Sequence, residues 1–158
     1  MKDSFELSWR VFMRNLHSAT KLTEEQKIAY IKILAYFTFQ DENSKEESRN
    51  YILQQVSRFK LATEELKNIL IPRNHEELYK SLIPISTRPM AIDLLHCLWF
   101  AASVNSIISD NEISLIRKIA QILRIDNDTL LSIHHFVADE ISFIERAKNI
   151  LETDEVRC

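Results

Sequence analysis

The chain has 158 residues, of which 46% are hydrophobic and 27% charged, with a formal net charge of −3 and no glycine. Phosphate-binding loops, dinucleotide-binding sites and tight hairpin turns need glycine where φ is positive or where a ligand meets the backbone. The lack of glycine therefore argues against these sites and against most β-rich folds. The basic residues are scattered, so no nucleic-acid-binding stripe is visible. We predict one all-α domain over residues 1–158.

The first residues and the cysteines indicate where the protein resides. The N-terminus carries two acidic residues and no apolar run, so it does not resemble a signal peptide. Asp93 and His96 interrupt the most apolar stretch, which argues against a membrane span. The two cysteines, Cys97 and Cys158, are too few for a disulfide framework. We expect a cytoplasmic protein.

Hydrophobic spacing predicts about eight helices and no strand. In the first helix, residues 4–18, the apolar side chains Phe5, Trp9, Phe12 and Leu16 recur at helical spacing. Later helices are each preceded by a residue that favours the N-cap position. These predicted caps are Thr23, Ser44, Thr63, Asn74, Thr87, Ser109, and Asp126 or Asn127.

The end of the chain is predicted to form two separate helices. The first carries Leu130, Ile133 and Phe136, and the second runs roughly from Asp139 to Leu151.

Two stretches of the chain repeat one layout at a spacing of about 64 residues. Each has a long apolar helix, a polar turn, a capping residue and a second helix. The first repeat covers about residues 23–71, and the second about residues 87–136. The shared apolar register predicts that Ala29–Phe39 and Ile92–Ala102 pack as central helices related by pseudo-twofold symmetry.

The duplicated turn resembles that of the tellurite-resistance TerB family. The residues that carry the likeness are Asp41, Ser44 and Glu47 in the first repeat, and Asn105, Ser109 and Glu112 in the second. The family tends to have Asp-Gly at each turn, and Glu42 and Ser106 stand at those glycine positions here. The resemblance implies a non-catalytic helical module of a bacterial stress response, acting through protein partners or a weakly bound cation.

The paired turns are also the candidate metal site. If the repeats face each other, Asp41, Glu47, Asn105 and Glu112 form an acidic cluster. Their hard oxygen ligands favour calcium over zinc, with weak binding because only three are carboxylates. In the simpler interpretation, which we favour, the two glutamates complete helix caps and the other two residues form turns. No other cofactor is expected.

Two alternative functions are weighed against the TerB-like one. Asp93, His96 and Cys97 share one helical face, which would suit a Cys-His or metal-dependent enzyme. Cys97 is more simply a small buried hydrophobe, so no enzyme is predicted. The other alternative is an oligomerising scaffold whose first or last helix docks onto another chain. Protein partners are expected, and a homo-oligomer is one option. Neither nucleic-acid binding nor a direct membrane span is expected.

Overall fold

The computed structural model describes residues 22–39, 46–104 and 108–156, which form seven α-helices and no strand. The helices are α1 Glu24–Phe39, α2 Glu46–Arg58, α3 Thr63–Lys67, α4 His75–Ser81, α5 Arg88–Ser103, α6 Asp110–Ile122 and α7 Asn127–Val156. The all-α prediction is confirmed for these residues, whereas the helix predicted over 4–18 and the cap at Ser44 lie outside them. None of the seven helices is long and apolar enough to cross a membrane.

Five of the predicted helix caps are confirmed. In each, a side-chain oxygen accepts a hydrogen bond from the backbone N–H three residues later, which satisfies a donor that the helix itself leaves unpaired. The five capping residues are Thr23, Asn74, Thr87, Ser109 and Asp126. Local sequence alone therefore determines where most of these helices begin.

The cap predicted at Thr63 is wrong. The extended residue before α3 is Ala62, which has no side-chain oxygen to offer, and Thr63 is already helical. The helix ends at Lys67. A five-residue helix has few internal hydrogen bonds, so a capping residue has little helix to stabilise.

The helix ends show how the chain manages without glycine. Arg124 adopts φ 58° after α6, in the left-handed region that glycine or asparagine usually occupies. The N–H of Ile125 then donates to the carbonyl of Ala120 at 2.9 Å, and that of Arg124 donates to Gln121 at 3.1 Å. These two bonds form a Schellman motif that satisfies the last carbonyls of α6. Lys60, φ 51°, takes the same conformation after α2.

The end of the chain forms one continuous helix, α7, of 30 residues. The prediction of two separate helices near Phe136 and Asp139 is therefore wrong. No proline or glycine lies between them to stop the helix, and Val137, at the predicted break, is fully buried in the core. At 1.5 Å per residue, α7 is about 45 Å long, which is well beyond the length of α5.

Helix α5 lies at the centre of the fold and packs against α1, α2, α6 and α7. Eleven of its 16 residues are buried. Its apolar side chains and those of α1 belong to a single hydrophobic core. The two predicted central helices therefore share one core, whereas their pseudo-twofold relation and the internal repeat stay predictions.

Candidate functional site

Three polar side chains of α5 lie inside the core. Asp93, His96 and Cys97 are 1%, 5% and 1% exposed. Their spacing places them on adjoining faces of one helix, as the sequence predicts. The structure shows, however, that Asp93 contacts α1 and α2, Cys97 contacts α2, and His96 contacts α7. We call these three residues and their contacts the buried polar cluster, which also contains Tyr30, Tyr51, Gln55, Arg58 and Glu140.

Asp93 joins α5 to both α1 and α2. The Tyr30 hydroxyl lies 3.3 Å from Oδ2 of Asp93 and donates to the carbonyl of Met90 at 2.6 Å. From α2, Nη2 of Arg58 approaches Oδ2 to 3.6 Å. Neither Oδ1 of Asp93 nor Nη2 of Arg58 has a hydrogen-bond partner among the described residues. Burial raises the pKa of Asp93, and the Arg58 charge only partly opposes this.

His96 joins α5 to α7. Its Nε2 contacts Oε1 of Glu140, and the two side chains are 7% and 14% exposed. The rings of Phe100 and Phe136 lie about 6 Å from the imidazole, at 6.2 and 5.9 Å between centroids. The carboxylate and the imidazole therefore meet in a largely apolar environment, where each partner is costly to remove.

Cys97 is held among polar side chains of α2. Its Sγ lies 3.9 Å from Oε1 of Gln55, and the Tyr51 side chain also forms a hydrogen bond with it. Burial first, and then the Asp93 charge, raise the pKa of the thiol well above its ordinary value. A nucleophilic cysteine needs a thiolate and access to substrate. The burial predicted for Cys97 is confirmed, and this setting does not favour the Cys-His enzyme.

The candidate metal site is described only in part. Asp41 and Asn105 lie outside the described residues, and so does the side chain of Glu47. Glu112 is placed: its Oε1 accepts hydrogen bonds from the Ser109 N–H at 3.3 Å and from the Ser109 hydroxyl at 2.9 Å. This is the capping box predicted for the second repeat. Within the described ranges, no group of three or more His, Cys, Asp or Glu is arranged to hold a metal ion. Weak calcium binding stays a prediction.

The sequence pattern did not predict five members of the buried polar cluster: Tyr30, Tyr51, Gln55, Arg58 and Glu140. All five come from helices other than α5, at separations of 35 to 63 residues from their partners. A local pattern cannot reveal such pairs. Glu140 alone carried a signal: it lies three residues after Val137 and four before Ile144, so it falls on the apolar face of α7.

Comparisons of the chain with models of known protein families, with curated proteins and with solved structures found no match.

We predict that Asp93 makes the stability of the protein depend on pH. Above 3.8, its ordinary pKa, an unfolded Asp93 loses its proton, whereas the folded protein retains it until the raised pKa is passed. Asp93 therefore lowers the free energy of unfolding as the pH rises. Relative to the native protein, Asp93→Asn should gain stability as the pH rises above about 4. Urea unfolding at several pH values measures this.

The exposed acid Glu145 provides the control for that experiment, since Glu145→Gln should leave the pH dependence unchanged. A relative stability of Asp93→Asn that falls as the pH rises would contradict the prediction. It would mean that the charge of Arg58 outweighs the effect of burial on the pKa of Asp93.

We also predict that the contact between His96 and Glu140 stabilises the packing of α7 on α5. Glu140→Ala should lower the free energy of unfolding by about 2 kcal/mol, because it leaves a buried imidazole without its carboxylate. Glu145→Ala, exposed on the same helix, should change it by less than about 0.5 kcal/mol. Equal losses in urea unfolding from the two variants would show that the buried contact contributes nothing.

Proposed function

We propose that the protein is a non-catalytic, TerB-like module of a stress response, and that it acts by binding a partner protein. The surface that we assign to the partner is the far end of α7. Its exposed apolar side chains form what we call the distal stripe: Phe143, Ile144, Ile150 and Leu151.

The observation that carries the proposal is a change of exposure along one face of α7. Val137, Ile144 and Leu151 are seven residues apart, so they lie on the same face of the helix. Their exposed fractions rise from 0% to 40% and then 66%. The face that packs on α5 at Val137 therefore continues, still apolar, beyond the part that the described residues cover.

The spacing of the stripe indicates the kind of partner. Phe143 and Ile150 precede Ile144 and Leu151 by one residue, so two apolar pairs recur after seven residues. This is the spacing with which one helix packs along another. Burying a fully exposed large apolar side chain contributes about 1.5–3 kcal/mol, and these side chains, which are 40% to 66% exposed, can each gain part of that on binding. We infer that the partner presents an apolar helix face, as α5 does to the first half of α7.

The buried polar cluster supports a binding role over a catalytic one. Asp93 and Cys97 make their contacts inside the protein, and the thiol has a raised pKa. The TerB-like part of the proposal depends on the likeness of the turns. The capping box of Ser109 and Glu112 supports it, because both residues carry that likeness.

The test compares a stripe variant with a matched control. Ile150→Ser combined with Leu151→Ser removes two side chains that are 64% and 66% exposed, so the fold should survive. Leu131→Ser, 51% exposed earlier on the same helix, is the control. A protein cross-linked to the native chain in cells is purified and titrated against all three. We expect binding to the stripe variant to be at least about tenfold weaker, with the control unchanged.

A growth experiment tests the stress response separately. A strain that lacks the gene is challenged with tellurite while it carries the native, stripe-variant or control sequence. We expect the stripe variant alone to leave the strain sensitive. Equal binding by all three proteins would contradict the partner site. Equal tellurite survival with and without the gene would contradict the TerB-like role. It would not contradict the partner site, which the binding titration tests separately.

A further inference from the structure

Charged side chains are sorted around the distal stripe. Beyond Ile144, the described part of α7 carries four of them, Glu145, Arg146, Lys148 and Glu152, and all four are exposed. None of the four takes part in an ion pair with another described residue. Where each charge lies around the helix therefore decides what a partner on the stripe meets.

Ala147 marks the middle of the stripe. Successive residues of an α-helix are about 100° apart around its axis. The four side chains of the distal stripe are three or four residues before or after Ala147. Each of them therefore lies within about 60° of Ala147, and the stripe is a band centred on that residue.

The two cations lie at the two edges of this band. Arg146 and Lys148 are the immediate neighbours of Ala147, so they lie about 100° to either side of it. Glu145 and Glu152 lie about 160° and 140° away, on the opposite side of α7. In paired helices, the side chains that flank the apolar contact face charged groups of the partner. A helix packed on the stripe therefore meets a cation at each edge.

A second copy of the chain is a poor match for these edges. It presents the same stripe, with Arg146 on one edge and Lys148 on the other. Whether the two helices run parallel or antiparallel, each edge then places a cation of one copy beside a cation of the other. Like charges at flanking positions disfavour a pair of helices. The stripe therefore favours a different chain over a second copy.

We propose that the partner of the distal stripe is an amphipathic helix with acidic side chains along both edges of its apolar face. The inference rests on the proposed function, because it specifies the chemistry of the partner at the same surface. The apolar contacts supply most of the affinity, and the edge charges select among apolar helices. Aspartate or glutamate opposite Arg146 and Lys148 is attracted, whereas lysine or arginine there is repelled.

Two synthetic helical peptides test this selection. Both carry leucine at the seven-residue spacing of the stripe, and their edge positions hold glutamate in one peptide and lysine in the other. In fluorescence-anisotropy titrations, the native protein should bind the glutamate peptide at least about tenfold more tightly, because each edge exchanges an attraction for a repulsion. Added salt should reduce this difference, since the edge charges are exposed.

Three variants separate the edge charges from the apolar contact. Arg146→Glu with Lys148→Glu, the edge variant, should reverse the preference between the peptides. Arg117→Glu with Lys118→Glu changes the net charge by the same amount at exposed positions of α6, and it should keep the native preference. The stripe variant, Ile150→Ser with Leu151→Ser, should bind both peptides more weakly. Circular dichroism verifies that each variant is folded.

The inference would be overturned if the native protein bound the lysine peptide as tightly as the glutamate peptide, or bound neither. A preference that the edge variant leaves unchanged would also overturn it. Equal affinities that the stripe variant lowers would remove only the acidic partner, because the stripe would still bind apolar helices. The partner site itself is tested by the titration of the cross-linked protein, so the two failures are distinguishable.

Discussion

The fold depends on the burial of polar side chains in α5. A helix with almost no solvent face depends on neighbouring helices to pair its polar side chains, because an unpaired buried polar group costs free energy. Asp93, His96 and Cys97 find theirs on α1, α2 and α7. Apolar packing alone permits helices to slide along one another. These contacts give the three surrounding helices defined positions along α5.

The same contacts separate α7 into two parts. As far as Glu140, its inward face meets α5, and a polar contact with His96 lies at that point. Beyond it, the face stays apolar while exposure rises from Ile144 to Leu151. Apolar side chains that stay exposed to water have a free-energy reason to bind another apolar surface. Ile144, Ile150 and Leu151 of the distal stripe are 40% to 66% exposed, and we therefore assign this end of α7 to a partner.

How much of this arrangement the sequence predicts depends on how local each feature is. Capping at Thr23, Asn74 and Ser109 involves residues three apart, so pattern alone was sufficient. The burial of Cys97 followed from the apolar sequence around it. The pairing of Asp93 with Arg58 and of His96 with Glu140 is long-range, and only packing reveals it. The break predicted in α7 is wrong because the change of sequence pattern there marks the end of the part of α7 that packs against α5. The helix itself continues.

Native-state hydrogen exchange tests most directly the claim that α5 organises the fold. Amides in the middle of α5, around Leu95, and in α7 up to Glu140 should exchange only through global unfolding. Amides of α7 beyond Ile144 should exchange orders of magnitude faster in the isolated protein. The exchange rate along α7 should therefore rise between Glu140 and Ile144. Uniform protection along the whole of α7 would contradict this account, and so would slowest exchange in a helix other than α5.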